Sequence, residues 1–106
     1  MVILIRRGTT PTIQVVLPDE LDMSTIVTAW IYINQNGEVI VDRSNDTIEI
    51  EDNTLSITLT QEETLALSDG FAFIQVRLLD TDGVALASQE NRVHVLPIYK
   101  EGEITV

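Results

Sequence analysis

The sequence predicts an all-β fold, a sandwich of two antiparallel sheets with about seven or eight strands. Apolar and polar residues alternate in segment after segment, which is the period that puts one strand face on a core and the other in water. Turn-forming residues separate these segments at intervals of roughly 8 to 12 residues. No long segment has a helical period, and the single short helical turn, expected near residues 61–67, joins strands.

The length of 106 residues fits a single domain. We expect the sandwich to span residues 1–97 and residues 98–106 to form a C-terminal tail or arm. The chain has no cysteine, so neither disulfides nor a thiolate metal site can stabilise it, and packing must do so alone.

The charge balance narrows the classes of partner. Six basic and seventeen acidic residues give a net charge of −11, which argues against binding to nucleic acid or to an anionic membrane. The apolar run Met1–Ile5 is too short to span a bilayer, and Arg6 and Arg7 follow it, whereas the basic residues of a signal peptide precede its apolar region. We therefore expect synthesis in the cytoplasm without a secretion signal.

The alternating segments give the predicted strands. Ile13, Val15 and Leu17 form the inner face of the first, which ends at Pro18. Between residues 26 and 33 both faces are apolar, so that strand is either covered on both sides or exposes an aromatic face to a partner. One face is predicted to carry Val27, Ala29, Ile31 and Ile33, and the other Ile26, Trp30 and Tyr32.

Three hairpins follow from turn residues. Asn36 and Gly37 tolerate the positive φ of a tight turn and lead into a short return strand. A second turn lies at Asp52 and Asn53. The third, Asp80–Gly83, leads into residues 84–88, and Arg92–Leu96 is the last strand.

A helix-start signal separates the second and third hairpins. Thr60 and Glu63 have the spacing of a capping box, in which each side chain accepts a hydrogen bond from the other residue's backbone amide. Ser68, Asp69 and Gly70 end this helical segment after about two turns. This segment is therefore predicted to be a corner between strands.

Taken together, these features resemble a known family. The segments Arg6–Pro11, Leu59–Thr64 and Asp80–Gly83, with Leu67 and Gly70, are similar to the small β-sandwich domain that begins phage baseplate upper proteins. The likeness extends from about Arg6 to Leu96 and implies an immunoglobulin-like sandwich. It also implies a docking or structural module of a phage or prophage tail, without cofactor or catalysis, with other tail or baseplate proteins as partners and the virion as its final location. Those phage proteins often continue into a long helical or receptor-attaching region. The chain would then be a free-standing adaptor, or a module whose partner domain is on another polypeptide.

The sequence contains no recognisable catalytic, cofactor-binding or metal-binding site. The single histidine, His94, lies between Val93 and Val95 without a second histidine or cysteine, and is expected to be structural or on the surface. No serine lies in a nucleophile-elbow motif. The acids between Asp42 and Asp52 are interpreted as a solvated face, and Asp80 and Asp82 as turn formers.

Five residues form a candidate interface: Trp30, Tyr32, Phe71, Phe73 and Arg77. Phe71, Phe73, Gln75 and Arg77 alternate with the apolar face Ala72, Ile74, Val76 and Leu78. Two interpretations stay open. The aromatic face points outward, with the composition of an interface hot spot, or Phe71 packs beneath the Leu65 and Leu67 corner and Phe73 covers a neighbouring strand.

We therefore expect a non-enzymatic structural or adaptor protein that acts through protein–protein contacts. Because virion assemblies are symmetric, self-association into a closed ring is part of this expectation. The alternative hypothesis is a small carbohydrate-binding sandwich, in which Trp30 or Tyr32 stacks on a sugar ring and Asn34 and nearby acids supply hydrogen bonds.

Overall fold

A computed structural model describes residues 3–87 and 90–105 and shows two facing β-sheets. One short helix, α1 (Gln61–Ala66), and two 3₁₀ turns, Met23–Thr25 and Asn45–Thr47, accompany nine strands in the described residues. The strands are β1 (Ile3–Arg6), β2 (Thr12–Val16), β3 (Ile26–Gln35), β4 (Glu38–Ser44), β5 (Glu49–Glu51), β6 (Thr54–Thr58), β7 (Gly70–Asp80), β8 (Ala85–Ala87) and β9 (Asn91–Leu96).

The strand order confirms the predicted all-β sandwich. The large sheet has the order β1-β9-β7-β3-β4, with β8 also paired to β7, and the small sheet has the order β2-β6-β5. This arrangement matches the immunoglobulin-like plan, in which β2, β6 and β5 correspond to strands B, E and D of one sheet and β9, β7 and β3 to strands G, F and C of the other. One pair differs from the predicted antiparallel pattern, because β1 runs parallel to β9 with Ile3 opposite Val93.

The sequence does not show whether the N-terminal segment Met1–Ile5 pairs within this chain or with a neighbour. Residues Ile3–Arg6 pair within the chain, against Val93–Leu96, while Met1 and Val2 lie outside the described residues. Ile5 is buried in the core, whereas Leu4 and Arg6 are exposed. The first strand therefore completes one edge of the large sheet.

The core lies between the inner faces of the two sheets, as the alternation predicts. Ile13, Val15 and Leu17 of the small sheet are buried against Ala72, Ile74, Val76 and Leu78 of the large sheet. Ala29, Ile31 and Ile33 of β3 are buried on the same side, so their face of the strand, and not the face of Trp30 and Tyr32, lies on the core.

The predicted position of Val27 on the same face as Ala29, Ile31 and Ile33 is wrong. A β-bulge between Ile26 and Thr28 shifts the register, and because side chains alternate with period two, the shift moves Val27 outward, where it is 53% exposed. Asn45 stabilises the bulge, because its Oδ1 accepts from the Ala29 amide at 2.6 Å and its Nδ2 donates to the Val27 carbonyl at 3.0 Å.

The predicted turns form as expected. Asn36 and Gly37 have φ values of 55° and 84° and join β3 to β4 through the two-residue turn that suits a twisted hairpin. Asp52, with φ of 52°, lies in the turn between β5 and β6. Asp80 Oδ1 accepts from the amides of Asp82 and Val84 at 2.9 and 2.8 Å, so the aspartate is a turn former. Ser88, at the end of the predicted return segment, lies outside the described residues.

The predicted helical corner is confirmed, including its capping box. Thr60 Oγ1 accepts from the Glu63 amide at 3.1 Å, and Glu63 Oε1 accepts from the Thr60 amide at 2.9 Å. Arg43 of β4 then binds both carboxylate oxygens of Glu63, with Nε 2.8 Å from Oε2, and donates to the Thr58 carbonyl at 2.8 Å. Glu63 therefore caps its own helix and also ties the corner to the large sheet.

Two further side chains hold the end of the corner. Arg7 donates from Nε to the Leu67 carbonyl at 2.6 Å and from Nη2 to the Leu65 carbonyl at 2.8 Å, which satisfies carbonyls that the helix end leaves without partners. The buried Gln35, at the end of β3, exchanges two hydrogen bonds of 2.7 Å with the Ser68 backbone.

The described part of the predicted tail, residues 98–105, contains no helix or strand and lies along this corner. Glu101 forms an ion pair with Arg7 at 2.7 Å. The Gln61 side chain exchanges two hydrogen bonds of 2.9 Å with the Ile104 backbone. The tail thus contacts the same residues that order the corner.

The Arg43 hydrogen bonds, with smaller help from the Thr60 amide, hold the pKa of the Glu63 carboxyl below its usual 4.5, although burial opposes this. Since this pKa is lower in the folded than in the unfolded state, the stabilisation is complete above the unfolded value and is lost as pH falls through the folded value. We expect Glu63→Gln to lower the unfolding free energy at neutral pH by about 1–2 kcal/mol, measured by urea denaturation. The difference from wild type should shrink below about pH 4.5.

Glu51→Gln is the control, since Glu51 is exposed on β5, away from the corner. It should change stability by less than about 0.5 kcal/mol at any pH. A Glu63→Gln difference that stayed constant down to about pH 2 would contradict a role for the charge.

Candidate interaction surface

All five residues of the candidate interface lie on one surface of the large sheet. We call this surface, which is directed away from the small sheet, the outer face. Strand register brings Trp30 opposite Arg77, Tyr32 opposite Gln75, and Phe73 opposite Asn34. The intervening residues of β3 and β7 are buried in the core, so the outer face is the other side of the same strands. It consists of Leu4, Arg6, Trp30, Tyr32, Asp42, Phe71, Phe73, Gln75, Arg77, Arg92 and His94.

The aromatic side chains of β7 point outward. Phe71 is 50% and Phe73 is 40% exposed, so the interpretation that places Phe71 beneath the corner is wrong. The space beneath the corner is filled by Leu67 and Thr64, which are both fully buried. Trp30 and Tyr32 are half-buried on the same face. No described helix or strand covers these four aromatic residues.

Strand β9 adds residues to this face that the sequence analysis did not include. The Arg92 guanidinium lies 4.6 Å from the centroid of the Phe71 ring, a cation–π distance. His94 is directly opposite Phe71 in the register, with its ring centroid 5.0 Å from that of Phe71. The alternation of Arg92 and His94 with the buried Val93 and Val95 is visible in the sequence, but only the pairing of β9 with β7 places them beside Phe71.

The charge of the outer face is opposite to that of the whole chain. Among the described strand residues of this face are Arg6, Arg77 and Arg92 and one acid, Asp42, which is opposite Tyr32, although the chain carries −11 overall. Arg7 and Arg43 are instead engaged at the corner, in ion pairs with Glu101 and Glu63. The outer face is therefore a locally basic and aromatic region of an acidic protein.

The remaining candidates from the sequence do not assemble into a chemical site. His94 packs against Phe71, and among the described residues no group of three or more histidine, cysteine or acidic side chains is placed to hold a metal ion. Glu49 and Glu51 are exposed on β5. Within the described ranges, no helix is long and apolar enough to cross a membrane.

Comparison with known proteins supports the fold. No family model matches the chain, and no curated protein matches it in sequence. Among solved structures, CopC from Methylosinus trichosporium OB3b is similar with a TM-score of 0.55 and 13% identity, covering 94% of this chain and 90% of that one. The V domain of amphioxus IgVJ-C2 aligns over 89% of this chain and 99% of its own at 13% identity, with a TM-score of only 0.34.

At this identity the likeness to CopC shows the fold alone, and the TM-score of the V domain is too low to carry an argument. Neither finding bears on the resemblance to phage baseplate proteins, which stays a prediction. The outer face must therefore be interpreted from its own residues.

Trp30 is the single tryptophan and reports on the charge of the outer face. Cross-strand neighbours have Cβ atoms about 5 Å apart, so Arg77 lies beside the indole. At low ionic strength we expect iodide to quench Trp30 fluorescence more than caesium does, despite the negative charge of the chain. Arg77→Gln should reduce quenching by iodide and leave quenching by neutral acrylamide unchanged.

Lys100→Gln removes one positive charge from the exposed tail and serves as the control, with no expected change in iodide quenching. Raising the salt concentration to about 1 M should make quenching by iodide and by caesium more nearly equal, because the Debye length is then only about 3 Å. Stronger quenching by caesium in the wild type would show that the outer face is not locally basic.

Proposed function

We propose that the protein is a non-enzymatic adaptor that docks onto another protein through the outer face. The observation that supports this is the grouping of Trp30, Tyr32, Phe71, Phe73 and Arg77 on one uncovered sheet surface. Trp, Tyr and Arg are enriched among the residues that carry binding energy at interfaces. Large apolar side chains that are exposed next to one another and form a contiguous patch typically mark an interaction surface.

The rigidity of the surface also favours docking. Its side chains project from the central strands β3 and β7, which pair over eight register positions from Ile26↔Asp80 to Asn34↔Phe73. Residues held on a sheet lose little backbone entropy on binding, so more of the contact energy is available as affinity. The partner is expected to present an apolar patch bordered by acidic groups, which would complement Arg77 and Arg92.

The setting in a phage or prophage tail rests on the resemblance alone. Two of the segments that carry it contact each other, since Arg7 binds carbonyls at the end of the corner that begins at Thr60. This contact explains why such segments would occur together in one sandwich. In that setting the partners are other tail or baseplate proteins, and the assembled location is the virion.

Self-association is compatible with the charge distribution. A head-to-tail contact would place the basic outer face of one copy against an acidic surface of the next, for example the edge formed by Glu49 and Glu51. Contacts of this heterologous type generate rings when the rotation closes. A symmetric contact of outer face with outer face would oppose Arg77 and Arg92 to their copies and is disfavoured.

The proposal is tested by light scattering on the purified protein and by co-sedimentation with phage tail particles. Phe73→Ala and Arg77→Ala should each weaken association about tenfold, which corresponds to about 1.4 kcal/mol. Tyr99→Ala is the matched control, since Tyr99 is an aromatic residue fully exposed in the tail. A wild-type monomer that is absent from tail particles would count against the adaptor function.

The alternative of a carbohydrate-binding module has one observation in its favour. Tyr32 is half-buried on the outer face with Asp42 directly opposite it in β4, so a ring for stacking and a carboxylate lie side by side. If this is the function, glycan-array binding should be lost in Trp30→Ala or Tyr32→Ala and kept in Tyr99→Ala. If the glycan array shows no binding and the protein associates with tail particles, only the adaptor function is supported.

A further inference from the structure

Strand β2 has one unpaired edge. It lies at the end of the small sheet and pairs with β6 on one side only among the described residues. The Leu17 amide donates to the Asn53 carbonyl and the Leu59 amide to the Pro11 carbonyl, at 2.8 and 2.9 Å. Since hydrogen-bonding direction alternates along an antiparallel strand, the odd-numbered positions face β6. The backbone groups of Thr12, Gln14 and Val16 therefore point to the open edge.

This edge carries no charge that would discourage pairing with another chain. Residues 9–18 contain no charged side chain, and Val16 at the end of β2 is 72% exposed. The strands at the ends of the sheet order, β1, β4 and β5, by contrast carry charges: Arg6 on β1, Asp42 on β4, and Glu49 and Glu51 on β5. Charges on edge strands normally discourage pairing with another chain. Their absence leaves β2 competent to accept a further strand.

An apolar groove lies beside the open edge. It has a volume of about 660 Å³ and runs between β2 and the β7–β8 hairpin of the large sheet. Leu17, Leu21, Leu78 and Leu86 are among the residues that line it. A strand added to β2 would continue the small sheet over this groove and direct every second side chain into it.

We propose that β2 and this groove bind an extended segment of another protein by strand addition, with apolar side chains at alternate positions and basic side chains between them. In this mode, main-chain hydrogen bonds supply affinity and pockets for alternate side chains supply specificity. The basic side chains follow from the surroundings. Glu49 and Glu51 are aligned with Gln14 and Val16 through β6, on the face of the small sheet directed away from the core. Asp19 and Asp22 lie on the loop after β2, and the chain carries −11.

A second copy of this chain fits the edge less well. If β2 paired with β2 of another copy, the groove would need apolar side chains from the added strand. The inward residues Ile13, Val15 and Leu17 are already buried in their own core, at 4–5% exposure, so they are not available to fill it. The two chains would also bring together a net charge of −11 each. A separate segment has neither restriction.

The probe is a synthetic heptapeptide in which lysine and valine alternate, Lys-Val-Lys-Val-Lys-Val-Lys, with blocked termini, and its binding to the full chain is followed by calorimetry at low salt. A peptide of the same composition with its three valines contiguous, and one with glutamate in place of lysine, should each bind at least about tenfold more weakly. Equal binding of all three peptides would overturn the proposal.

Strand pairing itself is tested with two N-methylated versions of the alternating peptide. One is methylated at the lysine amides and the other at the valine amides. In an antiparallel pair, the lysine amides face Thr12, Gln14 and Val16, because directly opposite residues share a sheet face. In a parallel pair, the valine amides face β2. Methylation of one set should abolish binding, and methylation of the other should change it less than about threefold. Loss of binding from both sets or from neither would exclude strand addition.

On the protein side, Gln14→Pro removes an edge amide that β6 does not use, and Gln14→Ala removes the side chain but keeps that amide. The proline variant should bind the alternating peptide at least about tenfold more weakly and the alanine variant about equally. Urea unfolding checks both folds, and the methylated peptides carry the test if the proline variant does not fold. A wild-type dimer that Gln14→Pro converts to a monomer would assign the edge to a second copy and overturn the proposal.

Discussion

The path of the chain from the small sheet to the large sheet constrains the rest of the structure. Between β6 and β7 the backbone turns through α1, and its polar groups need partners that a sheet does not provide. Glu63 accepts a hydrogen bond from the backbone at the start of the turn, and Arg7, Gln35 and Arg43, which are distant from it in sequence, bind the corner. Because Gln35 ends β3 and binds Ser68 just before β7, the corner sets where these central strands begin to pair. A slip of one residue there would exchange the inner and outer faces of β7.

The same contacts decide how charge is distributed. Arg7 and Arg43 use their charges at the corner, where they neutralise Glu101 and Glu63. Of the other basic residues, Arg77 and Arg92 are placed on the outer face by the register of β7 with its neighbours. An acidic chain thereby presents one basic, aromatic surface, while its acidic groups occupy loops and edges. This asymmetry favours an oriented approach of a partner to the outer face, since complementary charge steers association.

The sequence alone predicted the features that depend on near neighbours. The capping box of Thr60 and Glu63 spans three residues, the turn at Asn36 depends on local backbone preference, and the buried face of β7 follows from alternation. The features it did not predict depend on distant pairing. The parallel contact of β1 with β9 joins the two ends of the chain, and the bulge at Val27 depends on Asn45 filling a gap across the sheet. Alternation did not reveal this bulge, because Ile26 and Val27 are both apolar and either could take the inner face.

For the candidate interface, too, the sequence predicted the features that depend on near neighbours and not those that depend on distant pairing. The sequence by itself placed Trp30 and Tyr32 on one face of their strand, and Phe71 and Phe73 on one face of theirs, because side chains alternate with period two. It did not decide which face of the Trp30 strand lies on the core. It could not determine whether a further layer covers these aromatic residues, or that Arg77 lies beside Trp30 and Arg92 beside Phe71. Only the tertiary structure decided these points, since strand order and register are set by which sheets pack together. It also left β2 at an open edge, because the small sheet has three strands and ends beside the groove.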